Sequence, residues 1–264
     1  FQNRFSCSGL KHTAESCSGH RKSPIKVSPG GVSVLDLEVA NDVRVGLQAQ
    51  PRPLGHVEVT GHRVDRRSIQ AALNFANENQ TVHVAAGTYY ENIVWPYLTS
   101  GIKLLGAGFG NSIIDGDDLG AVISIETWVD GGTASQIGND THISGFTIQN
   151  GNGSYAGGIY LSWAGPTLTD LDIRDNDGSR GAGMHVSWSW PIIEDVTIRD
   201  NYASEYGGGL TFGMTTCNID RKAILENVII TGNSAYSFGG GMHFTQGGVV
   251  EVSNSLIADN GAGV

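Results

Sequence analysis

A fixed stride organises the C-terminal half of this chain. Ile148, Ile173 and Ile198 stand 25 residues apart, and Ile230 and Ile257 continue the series at intervals of 32 and 27. From the second copy on, the isoleucine opens an Ile-x-x-Asn signal that brings Asn176, Asn201, Asn233 and Asn260 into register. A glycine-rich signal recurs further along each unit: Gly157-Gly158-Ile159-Tyr160-Leu161, Gly181-Ala182-Gly183-Met184-His185-Val186, Gly207-Gly208-Gly209-Leu210-Thr211-Phe212 and Gly239-Gly240-Gly241-Met242-His243-Phe244. Short β-like runs and turn residues at such a period, with no helical pattern, are the signature of a parallel β-solenoid, in which each unit buries its apolar face only by stacking on the next.

Composition agrees with a many-turned β protein and narrows the partners. Glycine accounts for 38 of 264 residues and proline for 7, without a collagen-like triplet, so the glycines read as turn formers. A net charge of -10 argues against nucleic acid, whose phosphates call for a basic face. No apolar run approaches the roughly 18 residues of a membrane span. The first residue is Phe and no charged-then-apolar leader follows it, so the expectation is a removed signal or a fragment.

Charge is uneven along the chain. Up to Arg67 there are ten Lys or Arg against six Asp or Glu, and beyond it six against twenty, which marks a boundary near residue 64. Residues 1–64 read as a poorly defined arm with short candidate strands around Val32–Val39, Val43–Leu47 and Val57–Val59, and 65–264 as the solenoid. The strands before 65 fit a separate small domain or an extra leading coil. Cys7 and Cys17 are spaced for a disulfide in an oxidising compartment or stand as two thiols in the arm, Cys217 sits alone, and no zinc spacing occurs.

At Ser68 the pattern turns helical. Ser68 can cap, and Ile69, Ala72, Leu73 and Ala76 fall at i, i+3, i+4 and i+7 as one apolar stripe. Strand-like Thr81–Ile93, with a glycine turn at Gly87, follows at once. A solenoid must cover the open edge of its first coil, so this helix is expected to be a cap.

These residues carry a resemblance. Ser-Ile-Gln-Ala-Ala-Leu (68–73), Val-His-Val-Ala-Ala-Gly-Thr-Tyr-Tyr-Glu-Asn-Ile (82–93), Ile102–Gly108 and Ile113-Ile114-Asp115-Gly116 resemble the N-terminal coils of the pectin lyase-like superfamily, and Ile198–Gly209 and Ile230–Gly241 are similar to repeats of polymorphic, autotransported surface-displayed β-helix proteins. The resemblance covers about 68–264. It implies an all-β fold, a right-handed parallel β-helix of three short sheets with an N-terminal amphipathic capping helix, and a secreted or cell-surface protein that meets polysaccharide or a surface glycan.

Read as vertical columns, the repeats assign faces. Leu171 with Ile173, Val196 with Ile198, Met184 with Val186, Leu210 with Phe212 and Met242 with Phe244 point inward. The asparagine column lies past a strand, where left-handed turns are needed, and reads as a structural ladder. Tyr160, His185, Thr211 and His243 then point outward and are expected to be exposed, with Ser162, Ser187 and Thr245 beside them. In enzymes of the resembled superfamily such a face is the polysaccharide groove, which makes Tyr160, His185 and His243 candidate acid or base groups; a solvated polar column is the alternative. Trp163 and Trp188, 25 apart, suit a sugar platform or simple packing, and with Thr211, Arg174 and Arg199 they complete the candidate substrate-binding set. Arg174 and Arg199 stand beside Asp175 and Asp200, a neighbourhood that neutralises them as readily as it frees them for an anion.

A lyase acting on an acidic polysaccharide is the enzymatic alternative, and a purely structural stalk the third reading. β-Elimination of a uronate requires a cation beside the sugar carboxylate and a base beside its proton. Lysines are scarce in the solenoid, only Lys103 and Lys222, and the paired aspartates and Gly-His-Gly of polygalacturonases are absent. Asp115, Asp117 and Asp118 form the densest acidic group, a calcium candidate or a solvated turn. Asp172 and Glu194 are not paired by their spacing for hydrolysis. The insertion between Phe212 and Ile224 lengthens one coil and is the expected wall of any site. Ile257–Val264 opens a coil that it does not complete, which invites end-to-end association.

Overall fold

Isoleucines one stride apart lie in adjacent rungs. Ile148 pairs with Ile173, Ile173 with Ile198, Ile198 with Ile230 and Ile230 with Ile257, each in a parallel ladder. The computed structural model describes residues 42–46, 56–59, 62–64, 68–97, 99–127, 137–213, 222–245 and 249–263, all within the unit Glu38–Val264. Cys7, Cys17, the strand candidates around Val32–Val39, Leu47, and residues 214–221 of the insertion, Cys217 among them, lie outside the described residues.

Three sheets run along the stack. The largest carries Thr81–Val84, Lys103–Leu105, His142–Gln149, Thr167–Arg174, Ile192–Arg199, Ala223–Glu226 and Val250–Ser253 as successive rungs. Its long strands bend midway at Gly145, Asp170 and Asp195, all of positive φ, with Asn227 and Asn254 at the same place in the next two coils. A narrow second sheet holds Asn152–Gly153, Asp177–Arg180, Tyr202–Tyr206, Ser234–Ala235 and Gly261–Ala262. The third holds Ile93–Val94, Ile123–Glu126, Ile159–Ser162, Met184–Ser187, Leu210–Phe212 and Met242–Phe244. The fold is a parallel β-helix.

Alternation fills the interior. Ile159, Leu161, Met184, Val186, Leu210 and Phe212 are fully buried from the third sheet, and Ile148, Ile173 and Ile198 from the first. Each such side chain contributes about 1.5–3 kcal/mol by leaving water. A short helix, Ile69–Phe75, begins at Ser68, whose hydroxyl accepts from Ala71 N at 3.0 Å, and buries Ile69, Ala72 and Leu73. It packs against the first rungs of the large sheet and the first strand of the third. Asp42–Gly46 extends the large sheet beside Thr81–Val84 as one more parallel rung, and His56–Val59 and His62–Val64 continue it antiparallel.

The two repeated signals are halves of one contact. Each ladder asparagine amide donates to the next asparagine's Oδ1, at 3.0 Å from Asn176 to Asn201 and 2.9 Å from Asn201 to Asn233 and from Asn233 to Asn260. A Cβ at Gly183 would lie 2.6 Å from the Gly209 carbonyl oxygen, 2.7 Å from Ile198 Cγ2 and 2.9 Å from Asn201 Nδ2, so only glycine lets this strand close on the ladder. The left-handed turn residue is not the asparagine, as expected from sequence, but the one before it. Asp175, Asp200 and Asp259 have φ near +55°, and Gly232 takes the same place in its coil.

Candidate functional site

The four-residue column of the third sheet forms as the stride requires: Tyr160 pairs with His185, His185 with Thr211 and Thr211 with His243. Its exposure meets expectation only in part: Tyr160 and His243 are partly exposed, and the two members between them are buried. Thr211 is fully buried and His185 only 6 % exposed. Side chains of the preceding turns, Tyr155, Arg180 and Tyr206, lie against this face. Tyr155 places its ring 5.3 Å from that of His185 and 5.7 Å from that of Tyr160, and Tyr206 lies 4.3 Å from His243. Between the two tyrosines, the Arg180 guanidinium sits 5.8 Å from one ring centroid and 5.2 Å from the other, held by Glu205 at 2.7 Å.

This covering ridge was missed from sequence, yet it carries a signal. Tyr155, Arg180, Tyr206 and Phe238 each stand five residues before a column member, across the glycine run. The offset is constant because the same turn is built in each coil: Arg180 N donates to Tyr155 O, and Tyr206 bridges Phe238. Side chains of the column then bond their own turn. His185 Nδ1 meets the Arg180 carbonyl at 2.8 Å, and Thr211 Oγ1 donates to the Tyr206 carbonyl at 3.4 Å.

Burial sets the chemistry of these groups. Desolvation, with the Arg180 charge adding to it, brings His185 down to about 4 from an ordinary 6.5. The imidazole is therefore neutral at physiological pH, its proton on Nδ1 facing a carbonyl and its lone pair on Nε2. His243 is lowered by burial as well. Tyr160 is raised, by burial first and by Glu126 second.

Residues 58–264, most of the chain, match the family described as "Protein of unknown function (DUF1565)". The chain belongs to the DUF1565 family. No curated protein and no solved structure matches it. The description of the DUF1565 family names no activity.

At the other end of the third-sheet strands, Trp163 and Trp188 stack with ring centroids 5.0 Å apart and planes 6° from parallel. Both are half-buried, and both have left-handed backbone, φ +59° and +52°. Ser162 and Ser187 stand immediately before them in paired register. Trp190 packs on Gly165, where a Cβ would come within 2.8 Å of the indole Cε2.

The other sequence candidates lie elsewhere on this DUF1565 domain. Arg174 and Arg199 project from the large sheet and share Asp172: Arg199 holds both of its oxygens at 2.9 Å and Asp200 at 2.8 Å, while Arg174 reaches Asp172 at 3.4 Å, Asp175 and Gln149. They are not brought to the histidine column, and their charge is taken by neighbours. Asp115 is buried and accepts from Gln149 Nε2 and Asn150 Nδ2 at 2.8 Å and from Asp117 N at 3.0 Å. Among the described residues no three acidic, histidine or cysteine side chains gather as a metal site, and Lys222 is paired with Glu251 at 2.6 Å.

Proposed function

We propose that this DUF1565 chain is a secreted or cell-surface β-helix that binds carbohydrate along the third sheet, between the Tyr155–Arg180–Tyr206 ridge and the tryptophan pair. The observation that carries the reading is the pair itself. A left-handed residue other than glycine costs about 1 kcal/mol or more, and two successive coils both place tryptophan there, stacked in parallel and partly exposed. Every other left-handed non-glycine residue described is Asp or Asn, which take this conformation readily, so tryptophan at this turn points to selection for its side chain. Flat aromatic faces beside serine hydroxyls suit the apolar face and the hydroxyl rim of a sugar. The resemblance to polysaccharide-handling β-helices agrees with this.

Binding is favoured over elimination. A lyase needs a cation to neutralise a uronate beside its base, and among the described residues the guanidinium on this face, Arg180, is held by Glu205 and enclosed by two tyrosine rings. Affinity electrophoresis in gels cast with a panel of glycans tests the reading. Retardation without appearance of unsaturated ultraviolet-absorbing ends, weakened about tenfold by Trp188→Ala, is expected. Unretarded migration in every glycan would leave a stalk, and unsaturated product lost on His185→Ala would establish the lyase.

A further inference from the structure

At the start of the large-sheet strands, Lys103, His142 and Thr167 occupy the same outward position on successive rungs. The turns that lead into this sheet bring Asn79, Asn139 and Asp140 to the same edge, and together these side chains line a cleft of about 390 Å³, partly open to solvent. Its walls are held in place. Ser100 Oγ donates to Asp140 Oδ1 at 3.0 Å, Thr167 Oγ1 to the Asn139 carbonyl at 2.8 Å and Gly101 N to Thr141 Oγ1 at 2.9 Å, while His142 Nε2 is tied to Thr169 Oγ1 at 2.8 Å. Asn79 lies so close over Gly101 that a Cβ there would come within 2.1 Å of its Oδ1.

The charges of this cleft are unanswered. Arg174, Arg180, Arg199 and Lys222 each hold a carboxylate, but among the described residues Lys103 holds none, and Asp140 receives a hydroxyl and no cation. The two do not pair with each other either, although they line one cleft. The side-chain amides of Asn79 and Asn139 make no hydrogen bond among the described residues, and each offers both a donor and an acceptor. His142 adds no charge at pH 7: burial lowers it from an ordinary 6.5 and the Lys103 charge lowers it further, against an opposing effect of Glu194.

We propose that this cleft binds a small, polar α-amino acid, its carboxylate on Lys103, its ammonium on Asp140, and its remaining bonds on the Asn79 and Asn139 amides. The cleft lies on the large sheet, apart from the third-sheet carbohydrate surface, and does not depend on that reading. Charge selects the class. A zwitterion answers both groups, whereas a uronate or phosphate meets Lys103 but is repelled by Asp140 and approaches a chain of net charge -10. An amine meets the reverse conflict at Lys103, and a neutral sugar leaves both charges unanswered. No hydrocarbon side chain lines the cleft, so a leucine or phenylalanine side chain has no apolar surface to cover there. The ligand narrows to glycine, serine, asparagine and their like.

Calorimetry on the full chain tests this with glycine, serine and asparagine against leucine, galacturonate and two serine analogues: N-acetylserine, which lacks the ammonium, and serinamide, which lacks the carboxylate. Serine should bind, and its two analogues about tenfold or more weakly, the loss of one charge-assisted contact. Lys103→Gln should abolish the discrimination between serine and serinamide, and Asp140→Asn that between serine and N-acetylserine. Lys222→Gln, at an ammonium already paired with Glu251, should leave serine binding unchanged. The ligand series on unaltered protein stands even where a variant folds poorly. Absence of binding by all three small amino acids overturns the proposal, as does serine binding that ignores both Lys103→Gln and Asp140→Asn. Galacturonate bound more tightly than serine also overturns it and makes the cleft a site for an acidic sugar.

Discussion

Asn201 shows how much one buried amide can hold. Its Oδ1 accepts from Asn176 N at 3.1 Å and Asn176 Nδ2 at 3.0 Å, and its Nδ2 faces the carbonyls of Ile173 and Arg199 as well as Asn233 Oδ1. Asn201→Ala orphans groups on three coils at once, in a site 1 % exposed, and should cost on the order of 3 kcal/mol in urea unfolding. Asn201→Asp should do no better, because a carboxylate cannot donate to those oxygens. Asn260→Ala, which has no following asparagine to serve among the described residues, should cost less than half as much; equal losses at both positions would show that the ladder is not cooperative. His185 makes a pH prediction at the same scale. Its folded-state value near 4 lies below the 6.5 of the open chain, so the unfolded form takes up the proton first. The neutral ring's stability is complete above about pH 6.5 and is lost as pH falls toward 4, a change on the order of 3 kcal/mol. Comparing urea midpoints at pH 7 and pH 4.5 for wild type and His185→Gln isolates it, since the carboxylates are common to both; parallel pH profiles would remove the claim.

At the scale of the element, the capping helix is too short to stand alone, and its first turn is held from outside. Glu91 receives Ile69 N at 2.8 Å on one carboxylate oxygen and Gln70 N at 2.9 Å on the other, while Ser68 takes Ala71 N. Three donors that a seven-residue helix leaves without internal partners are thereby satisfied, two of them by a negative charge at the positive end of the helix dipole. Glu91→Ala should therefore destabilise by about 2 kcal/mol, more than Ser68→Ala at about 1 kcal/mol; the reverse order in thermal or urea unfolding would mean that the local cap dominates. Ser68 and the stripe Ile69, Ala72 and Leu73 were legible in the sequence because a cap and a 3.6-residue period are local. Glu91 was not, because it acts across more than twenty residues of chain that only the closed coil brings back. The same distinction explains the site. The column Tyr160, His185, Thr211 and His243 followed from strand alternation, but its burial depends on the path of the preceding turn, which alternation does not describe. The left-handed position one residue ahead of the asparagine was not legible for a related reason: the asparagines are the repeated letter, and the residue ahead of them changes from Asp to Gly between coils.

For the whole molecule, stacking makes stability a sum over neighbours. Thr167–Arg174 is paired through seven register positions on each side, and Ile192–Arg199 through seven on one side, over an interior with Leu168, Ile173, Ile193 and Ile198 fully buried. Val250–Ser253 has one parallel neighbour among the described strands, and Val252 and Ile257, in register with buried Leu225 and Ile230, are 48 % and 49 % exposed. Apolar burial is complete from the helix-capped coils through the middle ones and falls at the rung carrying Val250–Ser253 and Leu256–Ala258, so opening of this 264-residue chain should proceed from that rung inward. Polar ladders follow the same gradient: the Asn176 and Asn201 amides are buried on both sides, and Asn260 is partly open. Native-state hydrogen exchange should then find the amides of Ile173 and Ile198 exchanging only with global unfolding, and those of Val252 and Ile257 through local opening at a small fraction of that free energy. Adding Asn201→Ala should lower protection in the coils on either side of it while leaving the helix-capped rungs of Thr81–Val84 nearly unchanged. Uniform protection across all these amides, falling together in the variant, would make the molecule a single cooperative block and defeat the nearest-neighbour account.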